Sequence, residues 1–179
     1  MHTVDKAVRH TVEERNMIFL IVLVISTLAA AAAQLIRSQL QLREAARLGM
    51  SAAMVVAGIA HWVRPLPFLQ HLPPWVPAPE PLISVTGAAE VALGLALLLP
   101  QPWRWRTGMA LAAYLVVVFP GNVYVAVAGV DVDGQPGGIY PWLRLPFQVI
   151  FIAWAVWSTR PQYEVGRARM GTDMRGRGN

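Results

Sequence analysis

The chain of 179 residues contains no cysteine. That absence excludes a disulfide scaffold, thiol redox chemistry, thiolate zinc or iron–sulfur sites and covalent haem attachment. Charge is scarce as well, with 14% Asp, Glu, Lys and Arg against about 25% in ordinary soluble domains. No Gly-rich phosphate loop, nucleophile elbow or metal-spaced His/Asp/Glu cluster occurs, so no metal ligand is assigned. No inverted repeat of the kind that builds secondary transporters is visible either. What is present is apolar: 55% hydrophobic residues and a mean hydropathy of +0.44. This is too aliphatic for disorder and more apolar than a soluble domain of this length can bury. The reading is an all-α, polytopic membrane protein with the lipid bilayer as its partner. Its net charge of +5 bears on orientation in the membrane, not on nucleic acid.

A helix needs about 20 predominantly apolar residues to cross the hydrocarbon core. On that measure residues 1–16 are a polar segment and 17–36 a hydrophobic helix, with a charge-free stretch from Met17 to Gln34. Residues 47–158 form a four-helix membrane bundle, with helices at about 48–63, 82–99, 107–128 and 141–158. Residues 159–179 are a basic flexible tail. Seven prolines between Pro65 and Pro81 predict an extended, stiff loop, because proline fixes φ and disfavours helix before it. Pro120-Gly121 predicts an interruption of the third bundle helix. The first span leaves two alternatives open. Its Ala31-Ala32-Ala33 end resembles a signal-peptide cleavage site, and the stretch Ser38–Arg47, without Gly or Pro, can continue as a helix along the membrane surface.

Ten of the fifteen basic residues fall on one side of these spans, five of them in the tail. The positive-inside rule makes that side cytoplasmic. The protein is then a multi-pass protein of the cell (inner) membrane, with its carboxyl terminus inside and the proline loop outside.

With directions assigned, His61, Glu90, Asn122, Arg144 and Gln148 all fall in the outer half of the bundle. A polar residue inside a span is costly unless paired or hydrated, which makes it a candidate for function. Small residues recur at Gly49, Ala53 and Ala57 in line with His61, and Gly87 and Gly94 flank Glu90, so both groups sit on faces where helices approach closely. Pro120 frees the carbonyl of Val116, which requires a protein or water partner beside Asn122. Glu90 and His61 are therefore the catalytic candidates, and Asn122, Arg144 and Gln148 the ligand-binding ones. Each has a plainer role open to it. Glu90 can pair with Arg144 as a structural lock, His61 can face headgroups, Asn122 can cap a helix break, and Arg144 can snorkel to phosphate. His61 and His71 stand too close around a proline loop to form a bis-histidine haem site.

The stretch from Arg47 to Trp157 resembles the DoxX family of small four-helix membrane proteins. The resemblance runs through Gly58-Ile-Ala-His61-Trp62, Pro73-Pro-Trp-Val-Pro77, Gly87-Ala-Ala-Glu90-Val-Ala-Leu-Gly94, Leu97-Leu-Leu-Pro100, Phe119-Pro-Gly-Asn122 and Leu143-Arg-Leu-Pro-Phe-Gln148. It implies a DoxX-like bundle carrying one added amino-terminal helix. The family's namesake is the membrane subunit of an archaeal thiosulfate:quinone oxidoreductase. Other relatives belong to bacterial oxidative-stress complexes, and similar animal proteins are receptor assembly chaperones. The cysteines used by thiol-dependent relatives are missing here. Two functions are therefore expected. One is the membrane subunit of a redox system, binding quinone or another small lipid-soluble molecule near Glu90 and working with a soluble or membrane redox partner protein. The other is a non-catalytic scaffold or assembly chaperone.

The orientation has a direct test in a cysteine-free chain. Cysteine placed at Pro79 is expected to react with an impermeant maleimide in whole cells, and cysteine at Asn179 is not. The reverse labelling pattern overturns the orientation.

Overall fold

The computed structural model describes residues 24–29, 31–32 and 42–161. The polar segment 1–16, most of the expected helix 17–36 and the tail beyond 161 lie outside the described residues. Residues 24–29 and 31–32 are helical. Five further helices follow: α1 (Leu42–Val63), α2 (Pro65–Leu69), α3 (Pro79–Ala96), α4 (Trp103–Ala128) and α5 (Tyr140–Thr159). The described residues contain helices and no strand, an all-α architecture.

Proline placement explains most of the boundaries. Pro65 and Pro79 open α2 and α3, and Pro141 lies in the first turn of α5. The first turn of a helix has no use for the missing N–H, and φ is already set for helix. The proline-rich segment therefore does not remain extended as expected: it forms α2 and starts α3. Nor does Pro120 break its helix, since α4 runs through it for 26 residues. α1 starts at Leu42, ahead of the expected 48, with Glu44 in its first turn beside the positive end of the helix dipole.

Leu42–Val63 and Trp103–Ala128 are long and apolar enough to cross a membrane. In the other two long helices, prolines together with Glu80 and Glu90 in α3, and Arg144 and Gln148 in α5, hold the hydropathy down.

The four long helices pack as a ring. α1 lies along α3 and α4 along α5, while α1–α5 and α3–α4 contacts close the circle. The core between them is built from Met50, Ala53, Met54, Leu97, Leu111, Leu115 and Ala155. Close crossings rest on glycine. A Cβ on Gly58 would stand 2.6 Å from the Gly87 carbonyl oxygen, and one on Gly87 would stand 2.7 Å from the His61 Cβ. One turn pair away, the Ser51 hydroxyl donates to the Gly94 carbonyl at 2.7 Å. The Gly49–Ala53–Ala57–His61 row is thus not the row that meets α3: Ser51, Gly58 and His61 do, while Gly49 faces the preceding helical residues and accepts from Ser26 at 3.4 Å. On α4, a Cβ on Gly108 would overlap the side chain of Thr159, which fixes the α4–α5 approach.

The end of the ring at Glu44 is closed by a polar network. The buried Arg47 guanidinium donates to both Glu44 carboxylate oxygens and to the Leu97 carbonyl. Arg104 stands 3.6 Å from Glu44, and Gln101 donates to the Thr159 carbonyl at 3.0 Å. Arg47, expected ahead of the first bundle helix, lies inside α1 and ties it to the end of α3.

Gly58→Ala drives a methyl group onto a backbone oxygen that cannot rotate away. It is expected to cost about 1–3 kcal/mol, the range for overpacking, read as a lower melting temperature in detergent. Gly137→Ala, with nothing within 4 Å of its new Cβ, serves as the silent control.

Candidate functional site

The crossing of Gly58 over Gly87 brings the polar residues of α1 and α3 together. His61, one turn beyond Gly58, and Glu90, one turn beyond Gly87, end with Nδ1 and Oε2 3.6 Å apart. Both side chains are shielded, at 5% and 13% exposure. His61 Nδ1 is also 2.9 Å from the Ala57 carbonyl. A carbonyl only accepts, so this nitrogen carries the hydrogen and donates it there. The proton is then committed, and the 3.6 Å approach to Glu90 is an electrostatic contact rather than a hydrogen bond.

Glu90 receives its hydrogen bond from α4. The Tyr114 hydroxyl donates to Oε1 at 2.8 Å, with the Thr86 carbonyl a distant second acceptor at 3.5 Å. The other carboxyl oxygen, Oε2, is buried and has no hydrogen-bond partner. Above the cluster, Phe68 of α2 stacks on the His61 ring, with centroids 3.7 Å apart and planes at 24°.

The five residues singled out in the sequence separate into three groups. Glu90 and His61 form the first, joined by Tyr114. Asn122 and Gln148 form the second: Asn122 Nδ2 donates to Gln148 Oε1 at 3.3 Å, and Gln148 Nε2 donates to the Leu115 carbonyl at 2.8 Å. That carbonyl precedes the one left open by Pro120, so α5 supplies a hydrogen bond where the α4 ladder is disturbed. Arg144 belongs to the third group. Its Nη1 donates to His71 Nε2 at 2.8 Å and to Gln135 Oε1, and its guanidinium lies 6.0 Å from the Tyr140 ring.

The expected Glu90–Arg144 pair is therefore not made. Arg144 sits at the start of α5, where the connections converge, and finds neutral acceptors there before it can reach Glu90. His71 accepts from Arg144, so its own hydrogen is on Nδ1, which donates to the Pro67 carbonyl at 2.7 Å. Burial, and after it the Arg144 charge, push the His71 pKa down to about 4. Tyr114, His71 and Gln135 escaped sequence reasoning. One tyrosine in an apolar helix and two residues in connections carry no periodic signal of convergence. Among the described residues no group of three acidic, His or Cys side chains is placed to hold a metal ion.

Residues 50–159 match the family model of a domain of unknown function, DUF8561. The match takes in all of α2 to α5 and most of α1, and the chain belongs to that family. No curated protein and no solved structure matches the chain. The family is not DoxX, and the DoxX resemblance is corrected on that ground. The motif residues that suggested it are accounted for by packing and helix starts. Gly58, Gly87 and Gly94 serve helix crossings, and Gly121 lies against the His71 carbonyl. Such needs recur in unrelated helical bundles.

Double-mutant cycles test this grouping. Glu90→Gln and Tyr114→Phe are expected to couple by more than about 0.5 kcal/mol in thermal stability, as residues in direct contact do. Glu90→Gln and Arg144→Gln are expected to add within about 0.5 kcal/mol. Gln148→Leu leaves Asn122 and the Leu115 carbonyl without partners, for a loss of about 1–3 kcal/mol.

Proposed function

We propose that this member of the DUF8561 family is a multi-pass membrane protein whose Glu90–His61–Tyr114 cluster binds the hydroxyl end of a small lipid-soluble molecule, a quinol being one such molecule. The observation that carries this reading is the buried, unpartnered Oε2 of Glu90. Structural locks close their hydrogen bonds. Arg47 with Glu44 and Leu97, Ser51 with Gly94, and Gln148 with Leu115 and Asn122 all do so. Glu90 is satisfied on one oxygen only. An unmatched acceptor in an apolar interior costs about 1–3 kcal/mol, and a donor hydroxyl would remove that cost. Tyr114 holds the other oxygen in place, and His61 Nδ1 stands close enough for its dipole to act on the carboxyl.

The membrane reading draws on the surface of the bundle. Large apolar side chains face outward on each long helix, among them Ile59, Val85, Leu95, Val117, Val149 and Ile150. Soluble monomers rarely leave so much apolar surface uncovered. Arg43, Arg104, Arg106 and Arg160 gather at the Glu44 end, which supports a cytoplasmic position for that end. In this orientation Glu90 opens toward the outer leaflet.

Dicyclohexylcarbodiimide modifies protonated carboxyl groups in apolar surroundings and reads out Glu90 directly. In detergent-purified protein, labelling of Glu90 is expected by mass spectrometry, with protection by a short-chain quinol. Glu90→Gln should lose the label and keep the fold. Labelling that the quinol leaves unchanged favours the scaffold function, with Glu90 as a structural residue.

A further inference from the structure

We infer that residues 64–78 form a lid over the Glu90–His61 cluster, latched by the Arg144–His71 hydrogen bond and released when His71 takes up a proton. The lid rests on the site reading above for its purpose, but its mechanics stand on separate contacts. α2 contributes no buried residue. The segment is held by a small set of ring and polar contacts, among them Trp75 edge-on to the Tyr124 ring of α4 at 6.1 Å. Phe68 stacks on His61. Arg64 pairs with Asp133 at 3.0 Å, and Gln70 Oε1 accepts from the Asp133 backbone N–H at 2.7 Å. Arg144 donates to His71 Nε2 at 2.8 Å, and the His71 carbonyl lies against Gly121, where a Cβ would stand 3.0 Å away. Segments held by few buried contacts open at low free-energy cost.

The latch works in one protonation state only. His71 has one hydrogen, on Nδ1, and spends it on the Pro67 carbonyl. A proton on Nε2 replaces the acceptor with a second donor facing Arg144 and sets two cations in contact. Arg144 from α5 and His61 from α1 are the charged or titratable groups facing His71, and both oppose its protonation; from α4 the neighbour is Gly121, which carries no charge. Beyond Arg144 lie the neutral Gln135 and Tyr140, and Arg64 of the same segment is paired with Asp133 of the α4–α5 connection. The sign follows from linkage. The closed lid holds the His71 pKa at about 4, below the ordinary histidine value of about 6.5 to which exposure to water returns it. Closure is therefore complete above pH 6.5 and weakens as pH falls toward 4, by up to about tenfold per pH unit. Release lifts Phe68 from His61 and uncovers the cluster from the outer side.

Hydrogen exchange of residues 66–76 in the full-length protein in detergent tests the latch. After correction for intrinsic rates, exchange is expected to rise by up to about tenfold per pH unit between 6.5 and 4, with α1 and α3 still protected. His71→Gln keeps an acceptor for Arg144 and removes the titration, so the slope should vanish. Arg144→Gln removes the facing cation but not the burial, so it should reduce the slope without abolishing it. A wild-type profile that is flat, a slope that survives His71→Gln, or a slope that Arg144→Gln leaves unchanged overturns the lid. A flat profile with quinol-protected Glu90 rejects the lid alone; an intact slope without quinol protection rejects the site alone.

Discussion

The crossing of Gly58 over Gly87 fixes how α1 lies against α3. Two helices can cross with one backbone oxygen 2.6 Å from the other's missing Cβ only where both carry glycine. That approach sets the register of α1 against α3. The register in turn puts His61 beside Glu90, and Ser51 within 2.7 Å of the Gly94 carbonyl. A helix pair held a few ångströms further apart would leave His61 and Glu90 as two isolated polar groups. Close packing of small residues is also the form of helix association that works without a hydrophobic driving force. It suits a bundle that carries large apolar side chains on its outer face.

Polar groups divide between two tasks. At the Glu44 end, Arg47 is inserted between helices and satisfied on every side, which makes it a rigid tie. Removing one partner of such a buried pair leaves the other stranded and costs far more than the pair contributes. Within the bundle Glu90 retains an oxygen without a hydrogen-bond partner, and Arg144, at the opposite end, is spent on the connections. A bundle tightened at one end and left incomplete at the other can accept a small change at the incomplete end without loss of fold. On the proposed function, that difference separates a group that can take a ligand from one that fastens helices.

Proline shapes both ends of this arrangement. In first turns it starts helices, and the start of α2 carries Phe68 onto His61. Inside α4 it loosens the backbone ladder, and Gln148 reaches across from α5 to the Leu115 carbonyl. Gly121 beside it leaves room for the His71 carbonyl. The same Pro-Gly pair thus serves an internal bond on one side and the seat of the lid on the other.

Composition and spacing by themselves determined that the chain is all-α, where most of its helices lie, and that Glu90 and His61 share close-packed faces. A helix period and the rarity of charge are local properties, and a linear reading captures them. The partners were decided by tertiary structure alone. Tyr114 reaches Glu90 across 24 positions, and His71 reaches Arg144 across 73. Neither separation leaves a mark in periodicity, because it depends on which helices are neighbours in the ring and on how far each is displaced along its axis. Arg47 was hidden by the same ignorance of helix extent, since a helix beginning at Leu42 rather than 48 turns a connection residue into a buried one. The family, too, could not be read from glycine and proline motifs, because helix crossings and helix starts call for those residues in any bundle built this way.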